Sequence, residues 1–254
     1  MFDGIDEEVL TGGNVAGRVV RIGSTVRKPA GPSTDAVDAL LRHLTSVGCP
    51  GVPRSSGRDD EGRHVLEYVP GLMADQRELA PAELARVGRL IRELHDAMAG
   101  FVAPADADWR VVLPAPGPAS QVCHYDLAPW NLVLGEDRWV FIDWDSAGPG
   151  RRMWDLGYAA HGFVPLAPDG SASAAAARFR ALVDGYGADA AERRSLPGLT
   201  GAVTRAMADL LSRSAVTGEQ PWARLNDEGH GRYWQAAADY IERHESTWAA
   251  ALLD

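Results

Sequence analysis

The period of the hydrophobic pattern changes along the chain. Arg18-Val19-Val20-Arg21-Ile22 and Thr25-Val26-Arg27-Lys28 flank Gly23-Ser24, which predicts two strands joined by a tight hairpin turn, with Pro29 ending the second. Ahead of them, Thr11-Gly12-Gly13-Asn14-Val15 reads as a glycine turn. Pro32-Ser33-Thr34-Asp35 is a helix start with Ser33 or Thr34 as cap. Val37, Leu40, Leu41 and Leu44 then recur at helical spacing until Gly48 stops them. Gly51 to Gly62 is loop-rich, and His64 to Val69 is a further strand closed by Pro70-Gly71. Residues 1–70 therefore predict a small β-rich lobe with one helix.

Beyond that point the period is mostly helical. From Pro81, the positions Leu84, Val87, Gly88, Ile91, Leu94, His95 and Met98 repeat at i, i+3, i+4 and i+7. Residues 100–120, rich in Pro and Ala, predict an extended or looped segment. Asn131 to Leu134 and Trp139 to Asp143, around Gly135-Glu136-Asp137, read as a hairpin. From Ala172 onward the chain predicts helices, with breaks near Gly185-Gly187, Pro197-Gly198 and Gly218-Pro221.

The composition of the 254 residues, 46% hydrophobic and 24% charged, is that of an ordinary globular protein, with room for one large domain or two lobes around a cleft. The charge narrows the partners. A net charge of -10 repels phosphate backbones and argues against nucleic acid. It suits a cationic small molecule, or serves solubility alone. Residues 1–70 carry 8 basic and 10 acidic side chains and the remainder 17 and 25, so the larger part holds most of the negative field. The two cysteines, Cys49 and Cys123, lie in no metal-ligand spacing and are too few for a disulfide framework; Cys123 reads as a small buried hydrophobe. The acidic start lacks the order of a signal peptide and no apolar run reaches membrane-spanning length, so a cytoplasmic location away from membranes is expected.

The chemistry is concentrated in His124-Tyr125-Asp126-Leu127-Ala128-Pro129-Trp130-Asn131, an H-x-D-x-x-x-x-N pattern followed by Ile142-Asp143. Phosphoryl transfer needs a group to orient the attacking hydroxyl and hard oxygen ligands for the metal. Asp126 supplies the first. Asn131, five residues on, and Asp143, at the end of an apolar strand, supply the second to one magnesium-nucleotide. Each alone reads better as a turn-former or a cap; it is their order on a strand, loop and hairpin that points to catalysis.

This stretch, with Phe141-Ile142-Asp143-Trp144-Asp145 and Trp154-Asp155-Leu156-Gly157, resembles the signature of the aminoglycoside phosphotransferases and choline kinase-like enzymes. Residues 10–160 carry the likeness. It implies an α+β, bilobal protein-kinase-like fold. Residues 1–70 would form the nucleotide lobe, with a small antiparallel β-sheet and one helix, and 71–254 a mainly helical catalytic and acceptor lobe, with a hinge near 67–71. It implies Asp126 as the catalytic aspartate, Asn131 and Asp143 as Mg²⁺ ligands, and ATP or GTP as donor. His124 would brace the loop by hydrogen bonds, and so would Asp155, which reads equally as a helix cap. Gly13 and Asn14 match the family's short nucleotide loop, and backbone groups of Glu67 and Val69 would bind the adenine edge.

The chain departs from the pattern at three points. No G-x-G-x-x-G loop is present. The phosphate-contacting basic residue is Arg27 or Lys28, since one residue of register reverses a strand's faces; Val26-Arg27 matches the family's apolar-then-basic pair better. The first helix offers only Asp35 and Asp38 as its carboxylate partner. Asp145 shares a face with Asp143 on an extended chain and would assist the metal, meet a cationic acceptor or face solvent. Trp130, Trp144 and Trp154 would wall the acceptor pocket or pack in the core. Asp145, Asp209, Glu219, Asp227, Glu228, His230, Tyr233 and Trp234 are the acceptor-side candidates. The reading is a small-molecule O-phosphotransferase with a hydroxylated acceptor, an antibiotic among the possibilities. Its rivals are a catalytically silent kinase-like nucleotide- or ligand-binding protein and a protein kinase, the last weakened by the missing glycine-rich loop and activation-segment motifs.

Overall fold

The computed structural model describes residues 7–10, 18–168 and 171–253. The described chain begins with the strands β1 (Glu7–Leu10), β2 (Val19–Ile22) and β3 (Thr25–Lys28), helix α1 (Thr34–Ser46), and the strands β4 (Ser55–Arg58) and β5 (His64–Glu67). The five strands pair antiparallel in the order β1-β2-β3-β5-β4. Gly23, at φ 59°, makes the predicted β2–β3 turn, a conformation open to glycine without a Cβ penalty. One stripe of α1 (Val37, Leu40, Leu41 and Leu44) is buried, as its spacing requires. Gly48 follows the helix at φ 77°.

Next come β6 (Leu72–Met73), α2 (Pro81–Met98), β7 (Gln121–Cys123), β8 (Leu132–Leu134), β9 (Trp139–Phe141), β10 (Gly148–Gly150), α3 (Arg152–Phe163), α4 (Ala172–Tyr186), α5 (Ala190–Thr217), α6 (Trp222–Asp227), α7 (His230–Arg243) and α8 (Glu245–Leu253). The fold is α+β: an antiparallel N-terminal sheet, then a mostly helical part carrying two small sheets, β6-β8-β9 and β7-β10. Helices α2 and α4 cross at two glycines. A Cβ on Gly88 would strike the Leu182 carbonyl, and one on Gly185 the Ala85 carbonyl. Their main core runs from Leu40 and Leu44 through Leu84, Ile91 and Leu94 to Phe141, Leu182 and Val183. A second core joins Tyr125, Trp154 and Tyr158 to Met207, Leu211 and Trp234.

The expected break at Pro197-Gly198 does not occur, because α5 continues through Pro197. An interior proline costs about 3 kcal/mol through its missing N–H and ring clash. Here the helix is fixed before the proline by Asp189, which accepts the N–H groups of Ala191 and Glu192 at 2.7 and 2.8 Å, while Leu196 and Pro197 are buried. Packing outweighs the local penalty. The breaks at Gly187 and Gly218 occur as expected, both at positive φ. No helix among the described residues is long and apolar enough to cross a membrane.

Candidate active site

Strand β7 delivers His124, Tyr125 and Asp126 to the junction of the two cores, and the chain there is held from behind by α3. Asp155, fully buried, accepts the backbone N–H of His124 at 2.9 Å and of Tyr125 at 2.8 Å. His95 Nε2 lies 3.3 Å from the same carboxylate, and His95 Nδ1 lies 3.0 Å from the Tyr186 hydroxyl. Tyr125 sits at φ 66°, a left-handed conformation that bulky residues avoid, and its hydroxyl donates to the Pro149 carbonyl at 2.8 Å.

His124 is a buried strut. Its Nε2 is 3.1 Å from the Ile142 carbonyl, and its Nδ1 accepts from the Asp126 N–H at 3.2 Å. The carbonyl requires a donor and the N–H an acceptor, so the ring is neutral with its proton on Nε2. Burial holds its pKa below the usual histidine value. One imidazole therefore ties the Asp126 loop to the chain before Asp143.

Asn131 closes the loop from a short helical turn at Pro129–Asn131. Its Nδ2 donates to the Asp126 carbonyl at 3.0 Å and to Asp126 Oδ2 at 2.7 Å. Both partners are acceptors, so the amide nitrogen faces Asp126 and the amide oxygen is left for another ligand. The Ile142 N–H donates to the Asn131 carbonyl at 2.8 Å, which fixes Asp143 beside Asn131. Asp143 is itself at φ 58°. Asp126 Oδ1 is buried with no hydrogen-bond partner among the described residues. Burial pushes the Asp126 carboxyl up to about 6, with help from the charge of Asp143, while Tyr158, Asn131 and Trp130 pull it down.

Lys28, at the end of β3, is buried and points at the same place. Its Nζ is 2.6 Å from Asp145 Oδ1 and 3.3 Å from Asp143 Oδ1. Burial opposes its charge, but the two carboxylates prevail and raise its pKa. Arg27 occupies the other face of the strand, 3.7 Å from Asp59 and bonded to the Thr25 hydroxyl. The preference for Arg27 is thus corrected by the strand's period of two: of the two basic residues, Lys28 faces Asp143. Neither helix carboxylate reaches it, since Asp35 pairs with Arg58 and Asp38 with Arg42.

Glu67 is tied down from both ends. Its side chain binds Arg138 at 2.7 Å, and its N–H donates to the Arg54 carbonyl at 2.9 Å. Val69 makes no backbone hydrogen bond to another described residue. Gly13 and Asn14 lie outside the described residues. Trp144 and Trp154 are core residues whose indoles donate to the Phe141 and Leu113 carbonyls, whereas Trp130 is 41% exposed.

Sequence reasoning missed Tyr158 and His161, one helical turn apart on the buried face of α3 after Asp155. Tyr158 sits against Asp126, and its ring stacks on Trp234 with centroids 5.9 Å apart. His161 meets the same indole at 4.3 Å. The helical spacing from Asp155 was the available signal. Of the acceptor-side candidates, Trp234 belongs to this wall, Asp145 holds Lys28, and Glu228 pairs with Arg224.

Two hard oxygens, from Asn131 and Asp143, fit a Mg²⁺ ion that keeps its remaining positions for phosphates and water. Among the described residues no cluster of three His, Cys, Asp or Glu side chains could hold a metal.

Residues 99–196 match the phosphotransferase enzyme family. The chain is 30% identical to a trifolitoxin immunity protein of Rhizobium leguminosarum bv. trifolii, across 97% of this chain and 99% of that one. Its fold is similar to that of a choline/ethanolamine kinase family protein from Mesorhizobium loti, with a TM-score of 0.64 and 19% identity, covering 99% of this chain and 94% of that one. It is also similar to that of the amicoumacin kinase hAmiN, in complex with AMP-PNP and Ca²⁺, with a TM-score of 0.68 and 12% identity over 94% and 89%.

Proposed function

The chain belongs to the phosphotransferase enzyme family, and on that premise we propose that it moves the γ-phosphate of ATP or GTP to a hydroxyl of a small molecule. The observation that carries this reading is the Asp126 carboxylate. One oxygen is held by Asn131; the other is buried and has no hydrogen-bond partner among the described residues, with Tyr158 and Trp130 near enough to lower the carboxyl's pKa. Leaving such an atom unsatisfied is costly, and it is the atom an acceptor hydroxyl would bond to. With a pKa near 6 it is mostly ionised at neutral pH, yet more basic than an exposed aspartate.

In this reading Asp126 orients the hydroxyl, and Tyr158 and Asn131 hold the carboxylate in place. Asn131 and Asp143 hold Mg²⁺, which when bound neutralises and orients the phosphates. Lys28 contacts the phosphates. Gly13 and Asn14 cover them, and Val69, with the Glu67 carbonyl, takes the adenine edge. Residues 1–70 act as the nucleotide lobe and 71–254 as the catalytic and acceptor lobe. The acceptor enters against Tyr158, His161 and Trp234. The net negative charge of residues 71–254 suits a cationic acceptor, and the relative named for immunity to a toxin supports placing toxic compounds beside aminoglycosides. The need for ATP or GTP supports action in the cytoplasm.

A second reading is sequestration: binding of nucleotide or a toxic ligand without transfer. It is favoured by one observation, that no α1 carboxylate reaches Lys28. Purified protein with Mg²⁺ and ATP or GTP, incubated with aminoglycosides, peptide and nucleoside antibiotics, choline and homoserine, separates the two. A product heavier by one phosphate supports transfer. Ligand bound and recovered unchanged, with no nucleotide consumed, supports sequestration.

A further inference from the structure

Lys28 is held by carboxylates from one side only. Its ammonium has three N–H donors, and the acceptors Asp143 and Asp145 both come from the chain after β9. On the other side lies a relay that starts on α1. Ser55 Oγ donates to Asp38 Oδ1 at 2.5 Å and stands 2.9 Å from His64 Nε2. The hydroxyl has one proton, and the carboxylate takes it. Ser55 can then only accept from the imidazole, so Nε2 carries the ring proton and Nδ1 is a bare acceptor. His64 is fully buried, and Nδ1 has no partner among the described residues. In the β3–β5 ladder His64 is directly opposite Lys28, which puts both side chains on one face. Burial, then the charge of Lys28, brings the ring's pKa to about 4; Asp38 and Asp145 act against this and Arg58 with it.

We propose that His64 is a positioning residue, whose Nδ1 accepts the third N–H of Lys28 and steadies the ammonium when the lysine leaves Asp145 for the nucleotide phosphates. Asp38 thereby acts on Lys28 through Ser55 and His64, where a direct ion pair is absent. A neutral acceptor aligns the lysine without competing for its charge, which stays available to the phosphates. The inference rests on the reading of Lys28 as the phosphate-contacting residue.

The test is calorimetric affinity of the full chain for Mg·ATP and, separately, for adenosine, which has no phosphate. Asparagine at position 64 offers an amide oxygen near the Nδ1 position, whereas glutamine reaches toward Nε2 and leucine offers neither. His64→Asn is expected to bind Mg·ATP within about threefold of wild type, and His64→Gln and His64→Leu about tenfold or more weaker, the scale of a hydrogen bond to a charged group. Adenosine affinity should not change in any of them. Should His64→Leu fail to fold, Ser55→Ala carries the test, with about a threefold loss confined to Mg·ATP. Equal losses for both ligands, or wild-type Mg·ATP affinity in His64→Leu, would overturn the proposal. A wild type that bound adenosine but showed no gain from Mg²⁺ and phosphates would remove the Lys28 reading itself, and this inference with it.

Discussion

Asp155 Oδ1 accepts the backbone N–H of Tyr125 at 2.8 Å, at a residue whose φ of 66° few bulky side chains adopt. The second oxygen takes the His124 N–H, so one buried carboxylate fixes the conformation that presents Asp126. Asp155→Asn keeps the volume but turns one oxygen into a donor facing an N–H. A loss of about 2–4 kcal/mol in urea denaturation at unchanged m is expected, with transfer activity falling in parallel. A loss below about 1 kcal/mol would mean that the loop keeps its shape without this brace.

At the site itself, Asp126→Ala should lower transfer by at least about a hundredfold while Mg·ATP affinity stays within a few-fold of wild type. Retention of more than a hundredth of the rate would count against the orienting role. Asn131→Ala and Asp143→Ala should instead weaken Mg·ATP binding and abolish its metal dependence relative to wild type. If metal dependence persisted unchanged in both, Mg²⁺ would be held elsewhere.

What the sequence revealed was set by distance along the chain. The β2–β3 hairpin follows from Gly23-Ser24 between two short strands, and α1 and α2 from their apolar spacing, because these signals are local. The motif from His124 to Asn131 was legible because its spacing is local, as are the Asp126–His124 and Asn131–Asp126 hydrogen bonds; the bonds that anchor it to Ile142 and Asp155 are not. Lys28 was not, because a period of two assigns neighbouring residues to opposite faces and nothing local says which face meets Asp143. Tyr158, His161 and Trp234 come together only when α7 packs on α3, more than seventy residues apart. Pro197 misled because the local cost of a proline is read from sequence, while the packing that outweighs it is not.

The α2–α4 crossing yields a stability prediction independent of the chemistry. A Cβ at Gly88 would meet the Leu182 carbonyl and the Tyr186 N–H, both backbone, so no side chain can turn aside. Ala is the better helix former by about 1 kcal/mol, yet Gly88→Ala should destabilise by about 2–4 kcal/mol, because the helices must separate. Thermal and urea denaturation measure it directly. A stabilised variant would mean that the helices pack less closely than the backbone positions state.

His161 makes stability sensitive to mild acid. It is 4% exposed, its Nδ1 has no partner among the described residues, and burial brings its pKa from 6.5 to about 4. The folded state therefore holds the neutral ring, while the unfolded chain takes up a proton below about 6.5. Its contribution is constant above that value and is lost as pH falls toward 4, by at most about 1.4 kcal/mol per pH unit and about 2 kcal/mol by pH 5. Asp126, whose folded pKa is raised, works in the opposite sense over part of the same range, so the wild-type slope is a difference of terms. His161→Phe keeps a ring against Trp234 and removes the titration. Urea midpoints for both proteins between pH 7.5 and 5 should therefore diverge, the variant losing about 2 kcal/mol less than wild type. Parallel curves would mean that His161 reaches solvent and titrates as an ordinary histidine.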